Sequence, residues 1–374
     1  MGRKFSQKIS LKWNLSTYHI SPKAWNLLAK KTSPLFHWEW LAAFEQSGIL
    51  NSNFKPAHLV LYRENQPIAI VPLYQKKDFL SEWAFGGMAL KLMGKANLAD
   101  DRLVGLIPYT PVPEYQFLLH PHEKKAPLVQ IIHRNLEEFA KENNKTIHFQ
   151  HLLSPSPLTE YFPFQNWVPE NSFTYRWWNR NYRTFEDFLD FLPPKRRNKI
   201  RREIKACQHI EFISYRGREI TPSLMKWMHQ CYQANHWKHY RNLGDISLDF
   251  WFWLGERKPS FLHILVAKEK GEIVGMNLMV ESSQGIYGRW WGCLKEIPFL
   301  HFNACYYWPI QYCIQKKLKF MDPGFQGYFK KWRGFEKMDI QSYIYVKDAH
   351  LRETLFFFIG FLASLSEDAP HKDE

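Results

Sequence analysis

No stretch of these 374 residues stays apolar for the roughly 18 positions that a membrane-crossing helix requires. The longest apolar run, LFFFIGFLASL at 355–365, ends after 11 residues. It reads as a buried C-terminal helix or strand, with docking onto an anionic membrane surface as the alternative. Cysteine is sparse: Cys207, Cys231, Cys293, Cys305 and Cys313 form no CxxC pair and are odd in number. That speaks against a disulfide framework and a zinc ribbon, and for reduced thiols in the cytoplasm. Cys305 and Cys313 fall in an aromatic helical segment and are expected to be buried. No cleavable signal pattern stands at the N-terminus. Metal-ligand spacing is also missing: His236 and His239 flank Trp237 with no third ligand nearby, so no metal is expected. Acidic residues are outnumbered, 36 against 50 basic ones, for a net charge of +14. Such an excess suits an acidic partner: nucleic acid, a phosphorylated cofactor or an anionic membrane surface.

The chain is rich in aromatic surface, 17% of residues with 16 Trp and 29 Phe. Aromatics bury large areas and also build ligand grooves. The length predicts two domains. The Ser-, Pro- and Asn-bearing stretch 153–172 marks the boundary, giving domains 1–172 and 173–374. The first half predicts a strand at 9–15, helices at 25–31 and 38–46, and a strand–turn–strand at 57–62 and 68–74. An amphipathic helix at 125–141 and a strand at 146–152 complete it. The second half repeats that plan. It predicts helices at 184–191, 195–208 and 221–235, a strand–turn–strand at 262–268 and 273–281, and a strand at 286–292. A helix at 301–318 and short strands at 320–321 and 342–346 follow. The fold class is α/β (α+β), with mixed central sheets flanked by helices.

Three motifs carry chemistry. In FMDPGFQGYFKKWRGF, 320–335, a short strand runs into Gly324, Gly327 and Gly334 interleaved with Lys330, Lys331 and Arg333. Glycine lets the backbone turn sharply or approach a ligand closely, and cations beside it suit an anion or a developing oxyanion. Backbone N–H groups at 324–327 are the expected oxyanion donors. In the helix 195–208, Lys195, Arg196, Arg197, Lys199, Arg201, Arg202 and Lys205 fall within 11 residues. Ile200 and Ile204, one turn apart, supply a single buried stripe, and the cations form a phosphate-contact surface or a solvated face. In YGRWWG, 287–292, alternation puts Tyr287, Arg289 and Trp291 on one face. A cation between aromatics can clamp a carboxylate or phosphate, and Tyr306 and Tyr307 are expected along the same cleft, with core packing the alternative for at least one of them. The segment 293–302, CLKEIPFLHF, has a proline and no glycine. It therefore lacks the glycine-rich turn that would cradle a pyrophosphate at a helix N-terminus. Gly86, Gly87 and Gly94 offer no clean match either.

These motifs occur in order with WNLLAKKTSPLFHWEWLAAFEQSG near the start, IPYTPV at 107–112, YRWWNRNYRTFEDFLDFLPPKRRNKIRREI at 175–204 and LHFNACYY at 300–307. Over almost the whole chain they resemble the FemAB-like family of N-acyltransferases. The resemblance implies tandem GNAT acyltransferase-like domains, with LVAKEKGEIVGMNLMV as the central hairpin along which the acyl donor lies. It implies transfer of an acyl or aminoacyl group to an amine, with acyl-CoA or aminoacyl-tRNA as donor substrate and no permanently bound cofactor. The family loop usually reads Gly-Ala-Gln-Gly-Glu-His-Lys; here Tyr328 and Phe329 replace its Glu and His, and Asn303 replaces a helix Glu. The carry-over therefore reaches Gln326, Gly327, Lys330, Arg333 and Gly334 but brings no base, and His301 becomes the candidate proton acceptor. The expected catalytic set is His301, Gln326 and Lys330. Arg289, Trp291, Tyr306, Tyr307, Gly324, Gly327 and Arg333 are expected to bind donor or acceptor. Lys195, Arg196, Arg197, Arg201 and Arg202 are expected to meet donor phosphates. The replacements at Tyr328 and Phe329 keep a second reading open, a non-catalytic tRNA- or peptide-binding protein on the same scaffold.

Overall fold

A computed structural model describes residues 9–78, 101–325 and 327–367, so Gly86, Gly87, Gly94 and Gln326 lie outside the described residues. The chain forms two compact units. One comprises residues up to Leu41, Leu50–Ser172 and the segment from Asp339 onward. The other comprises Ala42–Ile49 and Phe173–Met338. A single cut at 172 thus leaves out two exchanges: 42–49 joins the second unit, and the C-terminal segment joins the first. Strand pairing accounts for the latter, because Tyr343–Tyr345 pair antiparallel with Ile147–Phe149.

In the first unit an antiparallel sheet runs Ile9–Asn14, His58–Arg63, Gln66–Val71, Leu118–Leu119. Glu64 and Asn65 both take left-handed φ, 47° and 65°, which is the geometry a tight two-residue hairpin turn requires. A second set of short strands runs Ile147–Phe149, Arg102–Gly105, Tyr74–Lys76, Phe54–Pro56. The C-terminal helix Ala349–Glu367 overturns the expectation of a buried run. Leu355 and Ile359, spaced i to i+4, turn inward, whereas Phe356, Phe357 and Phe361 stand 54%, 73% and 59% exposed. A continuous apolar run on a helix is wider than the stripe one packed face can bury.

The second unit is built on Glu211–Arg216, Leu262–Glu269, Glu272–Glu281 and Gly285–Cys293, all antiparallel. Phe320–Asp322 then adds parallel to the fourth strand, and Trp177 and Trp178 pair with it antiparallel. Lys270 and Gly271, both at positive φ, close the central hairpin. The core gathers Trp177, Phe188, Leu265, Met279, Ile286 and Ile310. Burying each such side chain is worth about 1.5–3 kcal/mol relative to leaving it exposed. The long helix Pro222–Tyr240 runs past the expected end at 235 and stops where Arg241 turns left-handed.

Candidate active site

A cleft of about 1460 Å³ opens within the second unit. Its walls are the C-terminal half of Pro222–Tyr240, the strand Gly285–Cys293, the loop before Leu300, the helical run 300–306 and the loop 323–330.

The strand aims the central cation by breaking its own alternation. Leu278 pairs with Trp290 and Met279 with Gly288, so Arg289 is an extra residue, bulged out of the ladder. A bulge re-aims a side chain and bends the strand. The expected common face of Tyr287, Arg289 and Trp291 is therefore interrupted. Trp290 packs on Tyr232, Phe250 and Trp251. Trp291 lies 5.8 Å from the His301 ring, and the Arg289 guanidinium sits 5.2 Å over the Trp290 ring. Burial pushes the Arg289 pKa down to about 10, with nearby Asp322 opposing the shift.

The opposite wall is a helix with a defect. Leu300–Phe302 passes into a π-turn, Asn303–Tyr307, before regular helix resumes at Trp308–Lys316. The wider turn is stitched from outside: Asn277 Nδ2 donates to the Ala304 carbonyl at 3.0 Å, and Asn303 Nδ2 donates to the Glu203 carbonyl at 2.9 Å. π-turns of this kind occur most often at functional sites. The defect leaves His301, Cys305 and Tyr306 lining the cleft and sends Tyr307 to the far side. Burial lowers the His301 pKa to about 4, helped by the positive charges of Lys330 and Arg333, so its imidazole is neutral. Burial raises the pKa of Tyr306 and of Cys305, leaving a phenol that can donate and a thiol that is no nucleophile.

Gly292, the second glycine of YGRWWG, lets the long helix press onto the strand. A Cβ there would lie 1.8 Å from the Cys231 carbonyl oxygen. Gly292→Ala is expected to cost about 3 kcal/mol through overpacking. Gly360→Ala, a helical site with nothing within 4 Å, should be neutral or gain up to about 1 kcal/mol. Urea unfolding of the two variants checks the contrast.

The glycine loop is tied down differently from what its sequence suggests. Asp322 is fully buried; its Oδ2 accepts from Arg176 Nε and Nη2 at 3.1 and 2.8 Å. Its Oδ1 accepts the Gly324 N–H at 3.0 Å, so that donor is already used and is not aimed at an oxyanion. Lys330 donates to the Gly324 and Phe325 carbonyls at 2.7 and 3.3 Å, stapling the loop across its own turn. Burial drives the Lys330 pKa down to about 8 against the opposing pull of Asp322. Gly327, at φ 99°, lines the cleft, and a Cβ there would meet the Phe329 ring at 2.6 Å.

Arg333 and Tyr307 do not join the cleft. Arg333 Nη2 and Nε donate to the Glu203 carboxylate at 2.8 and 3.2 Å, and Nε also donates to the Tyr307 hydroxyl at 2.9 Å. The Tyr307 hydroxyl in turn donates to Glu203, and the Arg333 guanidinium lies 3.5 Å from the Phe302 ring centroid. Arg333 is 4% and Glu203 2% exposed, so this is a buried ion pair and not a ligand clamp.

The basic helix, Pro194–Ala206, contributes nothing to the cleft lining. Arg197 pairs with Asp190 at 2.8 Å and Arg201 with Glu186 at 2.6 Å. Arg196 stacks 4.6 Å over Trp332, whereas Lys195 and Arg202 are exposed. The expected row of phosphate contacts is thus partly spent on neighbouring carboxylates. His236 and His239 line the cleft, and no group of three His, Cys, Asp or Glu among the described residues is placed to hold a metal.

Asn277, Asp322 and Glu203 were not expected here. Each has a sequence signal: Asn277 breaks the apolar strand IVGMNLMV, Glu203 breaks the basic run, and Asp322 opens the glycine loop.

The FemAB-like family model, described as peptidoglycan biosynthesis/recognition, matches residues 16–368. The chain belongs to the FemAB-like family, and its mixed sheets are flanked by helices as the sequence implied. Among solved structures it is similar to FemX, at 10% identity and TM-score 0.55, over 90% of this chain and 98% of that one. It is similar to a conserved protein of unknown function from Bacteroides thetaiotaomicron, at 12% identity and TM-score 0.50, over 90% and 99%. It is also similar to the C-terminal domain of an Agrobacterium fabrum protein assigned as a lysylphosphatidylglycerol synthetase, at 8% identity and TM-score 0.52, over 93% and 97%. At these identities the likeness is one of fold. No curated protein matches the chain.

Proposed function

We propose that the cleft of the second unit transfers an acyl or aminoacyl group from a carrier, acyl-CoA or aminoacyl-tRNA, to an amine. The observation that carries this reading is the convergence of bulged Arg289, neutral His301 and the Tyr306 hydroxyl on one cleft. Arg289 holds an anionic part of donor or acceptor. The amine lone pair attacks the donor carbonyl carbon, forming the C–N bond and placing negative charge on oxygen. Cationic and O–H groups stabilise that oxygen. The C–S bond of a thioester, or the C–O bond of an aminoacyl ester, then breaks. His301 takes the proton the nitrogen sheds, and the leaving thiolate or alkoxide receives it. Lys330 shapes the loop; its ammonium is held by backbone carbonyls.

A neutral imidazole sets the pH dependence. If His301 takes the proton, protonating it stops transfer, so with a weakly basic amine acceptor that keeps its lone pair in acid, the acid limb set by His301 falls near pH 4 and not near 6.5. The sign follows from the depressed pKa: the working, unprotonated form is complete above that value and is lost as pH falls through it. Single-turnover rates with such an acceptor across that range check it, with His301→Ala removing the limb.

The decisive experiment offers acetyl-CoA and a charged-tRNA pool side by side, at low and moderate salt, and follows label transfer to an amine. Saturable acetyl-CoA binding with transfer identifies a CoA donor. Salt-sensitive binding that prefers aminoacylated tRNA identifies the other. Binding without transfer of either label supports the non-catalytic reading.

A further inference from the structure

Exposed apolar side chains gather at the mouth of the cleft. Trp237, Tyr240 and Phe329 line it and yet remain 52%, 66% and 39% exposed. Phe299 is 43% exposed, and its ring lies 6.5 Å from that of Phe302 inside the cleft. Its backbone is held left-handed, φ 63° and ψ 5°, a conformation strained for a bulky residue. Its carbonyl accepts from the Asn303 N–H and Nδ2 at 3.1 and 3.0 Å, which anchors the backbone while the ring stays in water. Beside Phe329 on the same turn, Trp332 is 44% exposed beneath the Arg196 guanidinium, and Lys195, Lys199 and Arg202 of the basic helix are exposed.

We infer that this rim seats on an anionic lipid surface. The aromatic rings enter the headgroup boundary, and the cations of the basic helix meet the lipid phosphates. Aromatics interleaved with cations also suit single-stranded nucleic acid. The rim, however, includes Leu294, 43% exposed, which has no flat face for a base to stack on. An exposed aliphatic side chain among the rings favours lipid. The inference goes beyond the transfer reading and stands without it: it concerns the surface the cleft faces, not the reaction inside.

Flotation of the full chain tests it, with vesicles of phosphatidylcholine alone or mixed with phosphatidylglycerol. The protein is expected to float with the mixed vesicles, less at moderate salt, and to stay at the bottom with phosphatidylcholine alone. Phe299→Gly is expected to weaken vesicle binding on the order of tenfold, from lost apolar burial. Stability should hold in that variant, because glycine accepts the left-handed backbone without strain. Lys195→Gln with Arg202→Gln should reduce the preference for anionic vesicles. Phe356→Ser with Phe357→Ser, on the C-terminal helix, should leave binding intact. Failure to float with either vesicle overturns the inference. So does binding that survives Phe299→Gly combined with Phe329→Ser, or that only the C-terminal pair abolishes. Displacement from vesicles by single-stranded poly-U, with poly-U binding weakened by the same Phe299→Gly change, overturns it in favour of nucleic acid.

Discussion

Glu203→Ala is expected to destabilise the protein by about 3–5 kcal/mol, the cost of leaving a buried charge unpaired. Glu203 is the carboxylate against which Arg333 is neutralised, and neither group has water to fall back on. The same side chain receives the Tyr307 hydroxyl, and its backbone carbonyl receives Asn303. Removing the carboxylate therefore takes from the Arg333 guanidinium its counter-charge and from the Tyr307 phenol its acceptor at once. Replacing both Glu203 and Arg333 with methionine should recover much of the loss, because an apolar pair has no charge to desolvate. Lys205→Gln, exposed on the same helix, should stay within about 0.5 kcal/mol. Urea midpoints of the four proteins check the ordering. A Glu203→Ala midpoint equal to that of Lys205→Gln would mean the ion pair contributes nothing.

Arg289→Ala is expected to lower transfer by about 100-fold or more, with the fold intact. The bulge sets the direction in which the side chain leaves the strand, and burial against the Trp290 ring confines the guanidinium. Arg289→Lys keeps the charge but loses the planar two-donor edge, and should fall between the two. Measuring kcat and KM for donor and acceptor separately shows which substrate the cation holds. Unchanged turnover and unchanged affinity for both in Arg289→Ala would remove Arg289 from the site.

Most helices and strands of the second unit were legible because their segments obey simple periods, but the strand Glu211–Arg216 and the helix Leu248–Arg257 were not read. The hairpin alternates and closes on Lys270-Gly271, and the basic helix shows one apolar stripe at Ile200 and Ile204. What the sequence hid were departures from period. The extra residue at Arg289 leaves no compositional trace, so alternation misassigned the faces around it. The π-turn hides in LHFNACYY for the same reason; Tyr306 lines the cleft while Tyr307 packs away from it. Charge runs misled in a different way. Arg333 read as a ligand contact because its acceptor, Glu203, lies 130 residues away in sequence. Gly324 read as an oxyanion donor because the acceptor two residues before it had no stated role.

The π-turn has one more consequence. It behaves as a single spare residue lodged in a helix, and each residue added to or removed from a helix turns everything beyond it by about 100°. Deleting one residue from 303–307 would let the helix close into an ordinary α-turn with little change in length. Either the cleft side chains or the packed core beyond Trp308 would then rotate out of place. The length of this segment is therefore under tighter constraint than its composition. Within it, a conservative exchange of side chains is a smaller step for the family than the loss or gain of one amino acid.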